Sequence, residues 1–497
     1  KNALEISNTL YESGLVIFAH PDFIVRTVHR TLPNQPFFPD DTLFTNQWHL
    51  HNTGQGSGKT DADVDAPEAW DYTRGNSNVV IAVLDDGIQV NHPDISPNIV
   101  PGGRDFTANP PDNDPSPGMG ENHGTCVTGV AAARGNNNAG VSGICPQCGI
   151  LPIRMLGGSV SIHAQAFDYA AAQGAWIITN SWGYDIGTPT TDDVVDAIND
   201  AAVNGRSGLG AVVLFAMTNT NTDNCSGSYP DISSLTNVIA VSRSTNEDLL
   251  GGGGFGTCMD LVAPTRDGTL GIQTTDRTGA AGYVPGDYYN NFGGTSSATP
   301  LVAGIAGLLL DLNPNLTRLQ VQRILEQTAE KIDPTHASYN SAGYSSRAGY
   351  GRVNAYRAVV PTVKIFVSPK EVSVNNPFTV KVTASAPFGL KAIWWFGKDT
   401  GIPDIDKDHR KDVSGAEPVY TYIWNNVRIN KKGTFTLGAD ARDVKYPTPG
   451  DGYPHQASEG SGIAYTTVKV VPVFGLASVV LTFLLILGVM VRRSLKK

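Results

Sequence analysis

Four residue types that together could carry acyl transfer sit where apolar runs end or helical segments begin. Asp85 and Asp86 follow VVIAVL, His123 opens an Ala-rich segment in ENHGT, and Asn219 follows AVVLFAMT. Thr295, Ser296, Ser297 and Thr299 stand in FGGTSSATPLVAGIAGLLL (292–310), directly before a long apolar run. A serine hydroxyl is a poor nucleophile until a base takes its proton. The imidazole that takes it needs a carboxylate to fix its tautomer and stabilise its charged form. The tetrahedral oxyanion then needs preorganised donors. Each residue alone has a plainer reading: Ser and Thr cap helices, Asp and Asn fill turns, and a lone His is usually structural. Only their joint arrangement points to chemistry.

The elements that must position them form a repeating pattern. From about residue 40 to 360, NVVIAVLDDG, GILPIRML, AWIITNSWG, AVVLFAMTN and NVIAVS read as strands. GTCVTGVAAAR, HAQAFDYAAAQ, TDDVVDAINDAAVN and ATPLVAGIAGLLLDL read as the helices between them. Uniformly apolar strands separated by helices predict an α/β fold: a doubly wound, mostly parallel sheet with helices on both faces. Such sheets place functional groups at the carboxyl ends of their strands, which is where Asp85 and Asn219 lie. After Pro361 the period changes to two, in KIFVSPKEVSVNNPFTVKVTAS, KAIWWFG, YTYIWNNV, GTFTLGADAR and IAYTTVKVV. That pattern predicts an all-β, antiparallel, immunoglobulin-like sandwich.

A net charge of −10 argues against a general nucleic-acid binder, which needs a basic surface to displace counterions. Residues 470–491, VVPVFGLASVVLTFLLILGVMV, carry no charge and precede Arg492, Arg493, Lys496 and Lys497. The run is long enough to cross a bilayer core of ~30 Å at ~1.5 Å per residue. The basic end would then stay cytoplasmic and residues 1–469 outside. The same tail also resembles bacterial C-terminal sorting signals. The chain opens on Lys1 without a leader pattern, so its natural N-terminus is expected upstream. Two phosphate-binding patterns fail: GQGSGKT lacks the first glycine of a P-loop and precedes its strand, and GGGGFG has no strand-to-helix context. No organic cofactor is expected. Five cysteines in an exported chain fit one or two disulfides plus a free thiol, and the lone C-P-Q-C of Cys145 and Cys148 is a weak zinc pattern.

The blocks IAVLDDGIQVNHPDI, ENHGTCVTGVAA and GGTSSATPLVAG, in that order, resemble the three signature blocks of the subtilisin-like serine proteases, and GYGRVNAYRAV resembles that family's closing segment. The resemblance covers about residues 40–360. It implies a serine endopeptidase acting on protein or peptide substrates, with Asp85 orienting, His123 as general base and then acid, and Ser296 as nucleophile. In Gly-Thr-Ser-x-Ala-x-Pro the serine after Gly-Thr attacks, which selects Ser296 among the hydroxyls. Asn219 is the implied oxyanion donor beside the Ser296 N–H, although Thr218 and Thr220 replace the family's usual glycines. Ser181, Trp182 and Gly183 are the implied strand that pairs with the substrate backbone, and Asn180 competes for the oxyanion role.

Within the family, DDGI, NHPD and D-x-x-F-x-x-Q-W resemble the kexin-like branch, which binds calcium at matching positions. The resemblance implies one Ca2+ site from Asp41, Asp94 and Asn137 with carbonyls of Arg134, Ala139 and Val141. It implies a second from Asp112 and Asp114, with Asp105 nearby. Calcium takes six to eight oxygens, which suits the first set. The branch also implies a Cys225–Cys258 disulfide and leaves Cys126 a buried thiol. It carries acidic side chains for basic substrates. Here Ser226 follows Cys225, Asp185 is displaced by one beyond Ser-Trp-Gly, and no P-domain motif follows 361, so dibasic specificity is not expected.

LYESGLVIFAHPDF resembles the end of a subtilase propeptide. The expected organisation is 1–30 propeptide remnant, 31–360 catalytic domain, 361–469 β-sandwich, 470–491 transmembrane or sorting helix and 492–497 basic tail. The rival is a catalytically silent surface protein that binds an unknown partner through its sandwich. An esterase would use the same triad but would normally carry G-x-S-x-G, which is absent from the serine block.

Overall fold

The computed structural model describes residues 36–471, apart from 186, 228–229, 267–269, 361, 374–375, 398–409, 414–416, 428–432 and 444–463. The expected propeptide remnant and basic tail lie outside the described residues, as does the expected transmembrane segment except for Val470 and Val471, which end a β-strand. In chain order the first module runs α1 (Ala66–Trp70), β1 (Val80–Asp85), β2 (Arg104–Asp105), α2 (His123–Ala132), β3 (Gly149–Arg154), α3 (Val160–Ala172), β4 (Ile177–Asn180), α4 (Asp192–Gly208), β5 (Val212–Ala216), β6 (Val238–Ser244) and β7 (Leu261–Pro264). It continues through β8 (Ile272–Thr275), β9 (Tyr288–Phe292), α5 (Thr295–Leu312), α6 (Arg318–Thr328), α7 (Pro334–Ala337) and α8 (Ala355–Val359).

Seven strands form one sheet in the order β2-β3-β1-β4-β5-β6-β7, and every pairing in it is parallel. The continuous apolar runs are explained by two covered faces. On β1, Ile81 and Val83 enter a core with α2, α5 and α6, whereas Ala82 and Leu84 enter a second core with α3 and α4. The sequence pattern located β1, β3, β4, β5 and β6 but not β7, β8 or β9, whose few residues give no usable periodicity. Helix α5 is long and apolar enough to cross a membrane, yet 83% of it is buried, so its apolarity serves the protein core.

Beyond residue 361 lie β10 (Thr362–Ser368), β11 (Glu371–Ser373), β12 (Phe378–Ser385), β13 (Leu390–Gly397), β14 (Arg410–Asp412), β15 (Val419–Val427), β16 (Gly433–Asp443) and β17 (Ala464–Val471). They form sheets of order β10-β12-β15 and β11-β17-β16-β13-β14. Ile365, Val380 and Val382 of the first share one core with Val372, Ile393 and Leu437 of the second. The expectation of purely antiparallel pairing needs one correction: β11 pairs with β17 in parallel. Only Pro369 and Lys370 separate β11 from β10, and the chain crosses there from one sheet to the other.

Cys145 bonds Cys148, Cys225 bonds Cys258, and Cys126 is a buried free thiol. A buried ionic network ties the first module together. Arg352, 1% exposed, pairs with Glu330 (2.7 Å) and Asp248 (3.0 Å). Asn354 donates to Glu330 (2.7 Å) and to Asp65 (2.6 Å). Burial, and then the neighbouring charge of Asp63, holds the Asp65 carboxyl well above the usual range, at about 7. A folded state that binds this proton more tightly than the unfolded chain is most favoured below the ordinary carboxylate pKa and loses that stability as pH rises toward 7. Asp65 has φ +54°, which Asn tolerates, and an Asn side chain keeps an acceptor for Asn354. Asp65→Asn therefore raises the melting temperature at pH 8 more than at pH 5, by about 2–4 °C per kcal/mol relieved, read by thermal denaturation at the two pH values.

Candidate active site

Asp85 ends β1 with its side chain fully buried, and His123 is the first residue of α2. The Asp85 carboxylate lies against His123 Nδ1 at 2.8 and 3.1 Å. This fixes Nδ1 as the protonated nitrogen and leaves Nε2 as the basic one. Gly124 makes the approach possible, because a Cβ there would meet Gly87 O at 2.5 Å and the Asp85 Cβ at 2.9 Å. The imidazole packs edge-on against Phe292, the last residue of β9, with ring centroids 5.5 Å apart.

Asp86, to which the sequence assigned no role, caps the helix that carries His123. Its carboxylate accepts from the His123 N–H (3.1 Å) and the Gly124 N–H (2.7 Å), while Asn122 makes no side-chain cap. Two orphan donors and the positive helix end are thereby satisfied by one anion. No local pattern reveals this, because the cap comes from a residue 37 positions away. Burial pushes the His123 pKa down, but the Asp85 charge and hydrogen bond, with Asp86, outweigh it and hold it above 6.5. Asp86→Asn removes one of those charges, so the imidazole titration midpoint of His123, read by NMR, moves down. An unchanged midpoint would contradict the electrostatic role of Asp86.

Ser296 lies in the first turn of α5, where its backbone N–H has no intrahelical partner. Its hydroxyl donates to the Ser181 carbonyl (3.2 Å), and the Ser181 hydroxyl donates back to the Ser296 carbonyl (3.0 Å). That carbonyl is free because Pro300, four residues on, has no N–H to give it. The structure thus shows no hydrogen bond between Ser296 and His123. Asn219, just beyond β5, turns its Oδ1 toward the Thr295 N–H (2.9 Å) and hydroxyl (3.2 Å). Its Nδ2 makes no bond to any described residue. Gly294, at φ +73°, is required here: a Cβ would meet Asn219 Oδ1 at 2.5 Å. Asn180 is buried and spends its amide on the Ile178 (3.4 Å) and Leu214 (3.0 Å) carbonyls, so it is structural.

Ser296, Asn219 and Ser181 border a cleft of about 280 Å³. Residues 181–185, with Trp182 and Gly183, take no strand pairing along it. Two carboxylates line the same cleft, Asp185 and Asp231, and neither forms an ion pair with a described residue. Asp231 is anchored by accepting from the Ser233 N–H (2.9 Å). It was missed because it falls in a loop whose path the sequence does not define.

Asp41 and Asp94, 5% and 0% exposed, lie near each other without a cationic partner. Burial, and to a lesser extent the charges of Asp94 and Asp40, raises the Asp41 pKa against two N–H bonds that lower it. Asn137 Nδ2 donates to Asp94 (2.9 Å), and Val141 N–H does so at 3.0 Å. The carbonyls of Arg134, Ala139 and Val141 accept no hydrogen bond from a described residue. Two buried unpaired carboxylates with unclaimed carbonyl oxygens fit a hard cation such as calcium. The second expected set does not. Asp112 and Asp114 are exposed and accept local N–H groups at 2.9 and 3.1 Å, and Arg154 neutralises Asp105 at 2.7 Å.

The model of the subtilase family matches residues 76–351. A calcium-dependent protease of Trichormus variabilis is 35% identical over 75% of this chain and 59% of its own length. The chain thus spans 59% of that curated relative. Thermitase of Thermoactinomyces vulgaris is 36% identical over 60% of this chain and 93% of its own length. Among solved structures, a serine protease of Aeromonas sobria in complex with its chaperone covers 87% of this chain and 92% of its own, with TM-score 0.58 and 18% identity, a likeness of fold. The matched segment holds Asp85, His123, Asn219 and Ser296 in the order the sequence blocks required, and the chain belongs to the subtilase family.

Proposed function

We propose that this protein is a calcium-stabilised serine endopeptidase working through an acyl-enzyme intermediate. The observations that carry the reading are the buried Asp85 carboxylate on His123 Nδ1, at 2.8 Å, and a cleft bordered by Ser296 and Asn219. In the reaction the Ser296 hydroxyl leaves the Ser181 carbonyl and gives its proton to His123 Nε2 as its oxygen attacks the substrate carbonyl. The Ser296 N–H and Asn219 Nδ2 stabilise the oxyanion. His123 then returns the proton to the leaving amine, and a water repeats the sequence to free the acid. Residues 181–183 offer unpaired backbone for the substrate strand. Asp41, Asp94 and Asn137 would hold the cation, which supplies charge neutralisation and loop rigidity away from the reacting atoms. The name of the Trichormus relative agrees with this.

The finer parts of the reading rest on sequence: export, a propeptide remnant over 1–30, an immunoglobulin-like topology for 361–469, and anchoring through residues 470–491. A fluorophosphonate probe tests the enzyme reading. It labels the calcium-loaded protein and not Ser296→Ala. A protein that stays unlabelled is the silent binding protein instead.

Asp185 and Asp231 give the cleft a negative wall, which suits a basic side chain immediately before the scissile bond. This amends the sequence expectation, which found only the displaced Asp185. Asp231→Asn lowers kcat/KM for a substrate with Arg at that position about tenfold, and leaves a Leu substrate nearly unchanged. Equal losses on both would mean that Asp231 serves the loop alone.

A further inference from the structure

The outer face of β10, β12 and β15 meets α6 and the 339–343 loop across a cleft of about 440 Å³. Strand alternation divides the two faces: Ile365, Val367, Val380 and Val382 point into the sandwich core, and Lys364, Phe366 and Lys381 point into the cleft. Lys331 joins them from the first module. The Lys364 ammonium donates to the Gln327 carbonyl and that of Lys331 to the Tyr350 carbonyl, leaving each with two further N–H groups. None of the three lysines forms an ion pair with a described residue.

This placement is electrostatically unfavourable for the ammonium groups. Burial, then the charge of Lys364, pushes Lys331 down to about 8, and burial with the charge of Arg357, partly offset by Glu330, does the same to Lys364. The carboxyl that shares the cleft, Glu326, is pushed upward by burial and by Asp260, which weakens it as a counter-charge. Apolar surface flanks the cations: Phe366 and Ile423 are 53% and 46% exposed, and the Lys381 ammonium sits 5.9 Å over the Phe366 ring. An anion placed among the lysines relieves their repulsion, while its carrier covers the exposed ring.

We propose that this cleft between the two modules is a binding site for an oxyanion ester, phosphate or sulphate, carried on a group with an apolar face. The site is independent of the peptidase reading, and its test does not use activity. Phenyl phosphate and phenyl sulphate are titrated by calorimetry into the full-length protein at matched ionic strength, with inorganic phosphate and phenol as controls. The expected result is saturable binding of at least one ester, tighter than inorganic phosphate or phenol, and the ester that binds identifies the oxyanion. Lys381→Met has no backbone bond to lose and weakens that binding at least fivefold, as does Lys364→Met, with unchanged melting temperatures for the first. Heat that follows ionic strength alone, or full affinity in Lys381→Met, overturns the site.

Discussion

Replacing Ser296 with alanine lowers kcat by a factor on the order of 10⁶, and adding His123→Ala to that variant lowers it almost no further. The non-additivity is the informative part. If Ser296 and His123 act as one unit, removing either removes the same step. Asp85→Asn is milder, on the order of 10⁴, because its main work is to hold the tautomer and the imidazolium, not to move a proton. The residual rate of the double variant measures what remains at the oxyanion site. Asn219→Ala in the wild-type background probes it directly, with a loss of about 10²–10³ in kcat. These values are read from single-turnover kinetics on a peptide ester. Losses that multiply fully between Ser296→Ala and His123→Ala would separate the two residues chemically and sink the triad. The hydroxyl rests on the Ser181 carbonyl and not on His123, so coupled losses would show that the two residues meet during the reaction.

What could be read in the sequence depended on whether a signal was local. The β1 run ends in Asp85, and ENHGT begins its helix at His123, so strand and helix ends alone were enough to place these groups at the carboxyl end of β1 and the start of α2. The hydroxyl cluster narrowed to Ser296 only through the order of three distant blocks. Contacts made across the fold left no such trace. The Asp86 cap, the Asp231 wall and the exchange between Ser181 and Ser296 each join residues whose proximity is created by the parallel sheet. Arg352 gives no hint in GYGRVNAYRAV that it will sit 1% exposed between Glu330 and Asp248. The second acidic loop failed for the opposite reason. Its Asp-rich composition was local and legible, but the Arg154 guanidinium that neutralises Asp105 comes from β3.

Chelating calcium with EGTA lowers the melting temperature of the Ser296→Ala protein, in which self-digestion cannot blur the transition. With free calcium at 1,000 times its dissociation constant, one site contributes about 4 kcal/mol, or roughly 10 °C. The argument starts from Asp41 and Asp94, which are buried at 5% and 0% exposure with no cation to balance them. Two such charges repel strongly at low local dielectric, and the N–H groups of Asn136, Asn137 and Val141 offset only part of that. A divalent cation offsets the rest and recruits the free carbonyls of the 134–141 loop, so its loss should first loosen that loop. Asp41→Asn relieves the repulsion while removing a ligand. Its melting temperature should therefore fall between those of the loaded and chelated wild type, and should respond much less to EGTA. Hydrogen exchange then separates local from global effects: chelation should deprotect 134–141 at concentrations that leave the β1 and β5 amides protected. A melting temperature indifferent to EGTA, with the loop still protected, would mean that the carboxylate pair is held by protonation of Asp41, the direction in which burial already pushes it.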